Sequence, residues 1–173
     1  AMVPERGINA VSRAMHLLSA LGEKLDCHSF AASYEKYIAD DYTGGLLGCA
    51  CSDKESGALT FNPGKITLEN NDVKILAGIR YPVRKKYETF ATCIKAVAEK
   101  MHCECKIIDH MSPIYFKRDD EVVVLLEKAY RDVTGDDVNQ PFTVGAATFA
   151  RTLPNTVAFG PIFPEQEEMS HLP

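Results

Sequence analysis

The sequence predicts an α+β fold, and three observations carry that prediction. Apolar residues recur at helical spacing in separate stretches, strict alternation marks strands between and after them, and turn-forming residues punctuate the joins. The first stripe is Val11, Ala14, Met15, Leu18 and Leu21, with Gly7 and Asn9 upstream as start signals. Phe30, Tyr34, Tyr37 and Ile38 mark a second helix that ends before Asp40-Asp41. Gly44-Gly45 and Gly48 punctuate a loop, and Leu47 to Cys51 predicts a short strand. Ala58 to Phe61 and Ile66 to Leu68 flank a breaker, Asn62-Pro63-Gly64, and Glu69 to Asp72 has the composition of a turn. Val73, Ile75, Ala77 and Ile79 then alternate with Lys74, Leu76, Gly78 and Arg80, the period of a half-buried strand. Pro82 closes it, because proline brings no N–H to a ladder.

Tyr87, Phe90, Ile94, Val97, Ala98 and Met101 form the stripe of a third helix. Cys103, Cys105 and Ile107, alternating with Glu104 and Lys106, predict another strand. The order helix, strands, helix, strand needs one strand in front to become the β-α-β-β-α-β arrangement of a ferredoxin-like layer. Residues 1–110 are therefore expected to be such a layer without its first strand. From Met111 the texture changes. Pro113-Ile114-Tyr115 is extended, Asp119-Asp120 caps a helix through Val122 to Val133, Thr134-Gly135 ends it, and a strand-turn-strand follows. Residues 111–173 form the second region.

Composition excludes several functions. Apolar residues make up 46% of the chain, enough for a real core. A formal net charge of −5 argues against nucleic-acid and membrane-surface partners, which need concentrated positive charge. The one basic cluster, Arg84-Lys85-Lys86, is short and reads as a solvated helix start. No apolar run approaches the length of a bilayer span, and the secretory pattern of charge followed by an apolar run is absent. Six cysteines spread over a mid-sized chain favour reduced thiols and a cytoplasmic location.

The candidate chemistry concentrates late. Gly145-Ala146-Ala147-Thr148-Phe149-Ala150-Arg151 is a small-residue turn leading to an apolar run, Val157-Ala158-Phe159, then an acidic stretch and a lone His171. Backbone bare of large side chains can approach a ligand closely. Cys49-x-Cys51 and His102-Cys103-x-Cys105, with Asp109 and His110 nearby, form a rival metal constellation. A one-residue spacing on a strand also simply places both thiols on one face, and that structural reading is the favoured one. Asp26-Cys27-His28 reads as a helix start rather than an activated thiol.

Several segments together resemble the di-zinc metallopeptidase superfamily, most closely its dipeptidase V-like bacterial branch. They are Pro4-Glu5-Arg6-Gly7-Ile8-Asn9-Ala10, Ile79-Arg80-Tyr81-Pro82, Pro113-Ile114-Tyr115 before a helix ending Thr134-Gly135, and Gly145 through Gly160 with His171 downstream. The resemblance implies a catalytic domain holding two zinc ions and a lid with ferredoxin-like halves. Residues 1–110 would be the second half of the lid, and 111–173 a C-terminal, partial α/β segment of the catalytic domain. His171 would supply a ligand to the second zinc, and Arg80 would reach from the lid to the free carboxylate of a dipeptide. Gly145, Ala146, Ala147 and Thr148 occupy the place of the family's glycine-rich substrate loop, with alanines where glycine is usual. Arg151 would assist there or serve as an ion-pair partner. The family's His-x-Asp and Glu-Glu motifs have no match in these residues, so the resemblance implies a truncated chain, inactive and zinc-free by itself. The general base and the remainder of the catalytic domain are expected upstream.

Without the resemblance, His171 is a tail histidine and Arg80 a surface arginine. Other readings also stand: a non-catalytic ferredoxin-like module that dimerises or binds small carboxylates, or an aminoacylase or desuccinylase on the same scaffold. A homodimer through the lid is a further expectation.

Overall fold

In the computed structural model, which describes residues 4–70, 72–160 and 163, helix α1 (Ala10–Ala20) begins at Asn9. Asn9 Oδ1 accepts the Ser12 N–H at 3.0 Å, satisfying one of the amides that a helix start leaves open. Its Nδ2 donates to Asn62 Oδ1 at 3.0 Å and to the Pro63 carbonyl at 2.8 Å. One side chain thus caps α1 and moors it to strand β3 (Thr60–Glu69). Of the predicted stripe, Val11 and Met15 are buried, Leu18 is half-buried, and Ala14 and Leu21 are exposed.

Helix α2 (His28–Tyr37) packs on α1. Tyr34 and Ser12, both fully buried, share a hydrogen bond of 3.0 Å between their hydroxyls. Each would strand the other in an apolar interior if removed. At the rim, His16 joins the two helices. Its Nε2 lies 2.8 Å from Asp40 Oδ2, and its Nδ1 lies 2.7 Å from Glu35 Oε1, an ion contact rather than an aligned hydrogen bond. The Asp40 hydrogen bond, opposed by burial and reinforced by the Glu35 charge, raises the imidazole above its ordinary 6.5. A histidine with a raised folded pKa stabilises the fold fully below its unfolded value. That contribution is lost as pH climbs through the folded value. Resistance to urea is therefore expected to fall as pH rises above about 6.5, and His16→Gln should flatten that fall. An equal slope in both proteins would show that the clamp contributes nothing.

The predicted strand at Leu47–Cys51 is instead part of a turn. Asp41 explains why: Oδ1 accepts the Thr43 N–H at 3.1 Å and Oδ2 the Leu46 N–H at 2.6 Å, which curls the chain. Burial would lift the Asp41 carboxyl, but the N–H groups of Leu46, Thr43 and Gly45 hold it below the usual range. Gly44 and Gly48, both at positive φ, complete the reversal. A short hairpin follows, β1 (Ser52–Asp53) against β2 (Gly57–Ala58).

Asn62-Pro63-Gly64 does not divide two strands. β3 runs through it and pairs antiparallel with β4 (Asp72–Arg80), with a register shift between Pro63 and Lys65. A bulge absorbs the extra residue and leaves a proline tolerable inside a ladder. Val73, Ile75 and Ile79 are half-buried, while Lys74, Leu76, Gly78 and Arg80 are exposed, the alternation the sequence predicts; Ala77 is also exposed.

Helix α3 (Tyr87–Lys100) sends Phe90 and Val97 into a core shared with Met15, Ala31, Tyr34, Leu47, Cys49, Leu59 and Phe61. After it, the predicted strand at Cys103–Ile107 is irregular. Cys103, Cys105 and Ile107 are half-buried and Glu104 and Lys106 exposed, so the period-two burial is present without a ladder. Among the described residues the sheets consist of β1–β2 and β3–β4 alone. The architecture is mixed α+β, with four α-helices and two small antiparallel sheets. Of the expected ferredoxin-like order, the described residues contain the helices and the paired strands between them but not the closing strand.

The chain divides into two compact units, one running to Pro113 and the other starting at Ile114. The second contains α4 (Glu121–Thr134), which starts after the expected Asp120 and ends at Gly135 in left-handed conformation, φ 69°. The Gly135 N–H donates to the Arg131 carbonyl at 2.9 Å. Asp120 uses its carboxylate differently from a side-chain cap, accepting the Lys117 N–H at 2.7 Å. Beyond the helix, Asp136 accepts from the Asn139 N–H (3.0 Å), the Tyr130 hydroxyl (2.7 Å) and the Val138 N–H (3.0 Å). The Asn139 N–H, then the Tyr130 hydroxyl and the Asn139 side chain, hold its carboxyl far below the usual range.

The strand-turn-strand expected next is not formed among the described residues after α4, where a 3₁₀ turn, Phe149–Thr152, follows irregular chain. Phe142 and Phe149 are 80% and 91% exposed, so no apolar face is covered there to select a strand register. No helix among the described residues is long and apolar enough to cross a membrane.

Candidate functional site

Arg80 is the last residue of β4, opposite Thr60, and its side chain is on the exposed face of the alternation. Its neighbour Tyr81 turns inward. The Tyr81 ring lies 4.9 Å from the buried ring of Phe90, and its hydroxyl lies 2.7 Å from His110 Nε2. His110 in turn stacks on Tyr87 with ring centroids 3.8 Å apart. Successive strand residues point to opposite faces. A Tyr81 held on the core side therefore fixes the backbone from which Arg80 projects. The sequence grouped His110 with cysteines as a metal ligand, whereas the structure gives it aromatic partners. Tyr81 and Tyr87 were legible only as strand end and helix face, since no spacing rule links them to a residue more than twenty positions on.

Gly145, Ala146, Ala147, Thr148 and Arg151 lie in the second unit, and the first four make an irregular, largely exposed segment. Neither Ala146 nor Ala147 is among the described residues with positive φ, so alanine meets no backbone penalty there. Thr148 is extended (φ −131°, ψ 168°) and makes no side-chain cap. Its carbonyl accepts the Arg151 N–H at 3.2 Å. The Thr152 hydroxyl closes the same turn by donating to the Phe149 carbonyl at 2.7 Å. Arg151 is half-buried. The apolar run Val157-Ala158-Phe159 is irregular. His171 and the acidic stretch before it lie outside the described residues.

The rival metal constellation is not assembled. No group of three or more histidine, cysteine or acidic side chains among the described residues could hold a metal ion. All six cysteines are free, and the Cys103 thiol donates locally to the Met101 carbonyl at 3.4 Å. Cys27 occupies the cap position of α2, in keeping with a helix start.

No family model matches the chain. Over 98% of its length it is 32% identical to a protein described as a putative dipeptidase from Staphylococcus saprophyticus, of which the match covers 36%. It is 29% identical, over the same shares of both chains, to proteins of that description from Staphylococcus aureus strains MW2 and USA300. The chain thus spans about a third of the length of the curated relatives it matches, 36%.

Proposed function

We propose that the protein hydrolyses dipeptides, and that these residues supply part of the substrate-embracing wall of the enzyme. The observation that carries this reading is the similarity to named dipeptidases across 98% of the chain. The residues up to 110 would act as a lid half built on a ferredoxin-like layer. Those from 111 onward would belong to the catalytic domain. Arg80 would take the free carboxylate of the substrate, for which a permanently charged planar fork is suited. That reading agrees with an arginine exposed at a strand end whose next residue is held against the core. The Gly145 segment and Arg151 would assist through backbone N–H groups and a second cation.

Zinc dependence, with His171 as a ligand, goes with the sequence resemblance. A cytoplasmic location and pairing of two copies through the lid go with the same reading. The test is a substrate panel in a protein carrying the full length over which the relatives extend. Unblocked dipeptides should be cleaved, and a chelator should abolish turnover. Preference for N-acyl or N-succinyl amino acids would move the assignment to another amidohydrolase. Absence of any amide cleavage would end it.

A further inference from the structure

The sequence pairs its thiols by spacing, Cys49 with Cys51 and Cys103 with Cys105, but the fold brings a thiol distant in the chain, Cys93, against the turn that ends at Cys49. The turn before β1 is pinned at several points: the Cys49 N–H donates to the Gly44 carbonyl at 2.9 Å and the Gly48 N–H to Gly45 at 3.0 Å. Gly44 is so closely packed that a Cβ there would meet Leu59 at 2.9 Å and the Cys49 sulfur at 3.1 Å. Cys49 is thereby held in the core, 6% exposed. On α3, Phe90, Cys93 and Val97 share a face by their spacing, and Phe90 and Val97 are buried. Cys93 reaches the turn, its thiol donating to the Gly48 carbonyl at 3.6 Å. That carbonyl belongs to the peptide bond joining Gly48 to Cys49, so α3 sets the Cys93 sulfur one peptide unit from the Cys49 backbone.

We propose that Cys49 and Cys93 are a disulfide-forming pair, an oxidation site at which a hydroperoxide joins the 44–49 turn covalently to α3. With Cys93 set against the peptide bond that leads into Cys49, side-chain rotation is what closes the two sulfurs to a bond of about 2.05 Å. Burial first, then the neighbouring Cys93 and Cys51, push the Cys49 thiol up to about 11 and keep it protonated. Half-exposed Cys93 is the sulfur that a peroxide meets. Its sulfur attacks one oxygen of hydrogen peroxide, the O–O bond breaks, and Cys93 becomes a sulfenic acid while the expelled hydroxide departs as water with the proton the Cys93 thiol gives up. The Cys49 sulfur then attacks the Cys93 sulfur. The S–O bond breaks, and the expelled hydroxide takes the Cys49 proton as a second water. Two thiols lose two electrons and two protons, and the peroxide is reduced by the same two electrons. No residue of the dipeptidase reading takes part.

The 173-residue chain treated with hydrogen peroxide, alkylated and digested with trypsin without reductant gives the test. The expected product is peptide 37–54 linked to peptide 87–95, lighter than the free pair by two hydrogens and separated again by dithiothreitol. Cys51→Ser should retain the link and Cys93→Ser should lose it, the latter at a half-exposed helix position where folding is not at stake. Three results overturn the proposal: Cys93 carried to sulfinic acid with no link, a link surviving in Cys49→Ser, or a link between two chains that grows with protein concentration.

Discussion

Arg80→Ala is expected to lower kcat/KM for unblocked dipeptides roughly 10²-fold in the protein carrying the full dipeptidase length, mostly through KM. The magnitude follows from losing a charge-assisted hydrogen bond pair, about 1.5–3 kcal/mol. Because Arg80 is exposed at the end of β4, stability should move by no more than about 0.5 kcal/mol. Arg80→Lys should recover only part of the loss, since an ammonium cannot reproduce the planar fork. A dipeptide amidated at its C-terminus sharpens the measurement. Wild type should lose on that substrate about what the variant loses on the free acid, and the variant should barely distinguish the two. Equal kcat/KM for wild type and variant on the free acid would remove Arg80 from the site.

Gly44→Ala is expected to cost about 2–4 kcal/mol of stability, combining a left-handed backbone with overpacking. The φ of 76° already disfavours any Cβ. The atoms waiting there are Leu59 Cδ2 at 2.9 Å and Cys49 Sγ at 3.1 Å. A leucine methyl usually yields cheaply, but Leu59 is 0% exposed and has nowhere to go. Gly48→Ala is the control. Its φ is similar, 73°, yet a Cβ there meets nothing within 4 Å, so it should carry the backbone penalty of about 1–2 kcal/mol alone. Urea denaturation of the three proteins measures the difference, and equal losses for the two variants would mean that the packing at Gly44 relaxes freely.

What the sequence revealed depended on how local its cause was. Asn9 as a helix start, the α1 and α2 stripes, the β4 alternation and Gly135 as a stop were all legible, because each is decided within a few residues. Leu47–Cys51 was misread because its fate is set by Asp41, whose carboxylate gathers amides that an apolar run seems to leave for a ladder. Asn62-Pro63-Gly64 looked like a breaker because a bulge depends on the partner strand, which spacing alone does not reveal. Cys103–Ile107 has a strand's burial without a strand's neighbour, since periodicity reports which side faces inward but not what lies alongside. The strand alternation made the position of Arg80 at the end of β4 legible, whereas its role was read from the family resemblance; the Tyr81–His110–Tyr87 contacts beside it join residues that no sequence window contains.

Every fully buried side chain among the described residues lies at or before Val97, and α4 buries none. The heat absorbed when this chain melts should therefore come mainly from its first hundred or so residues. A dye-based melting screen would register a compound seated near Tyr34 or Phe90, yet stay silent for one that grips the Gly145 segment. Ligands for that later region are better sought by an observable local to it, such as amide chemical shifts, than by any reading of when the molecule falls apart.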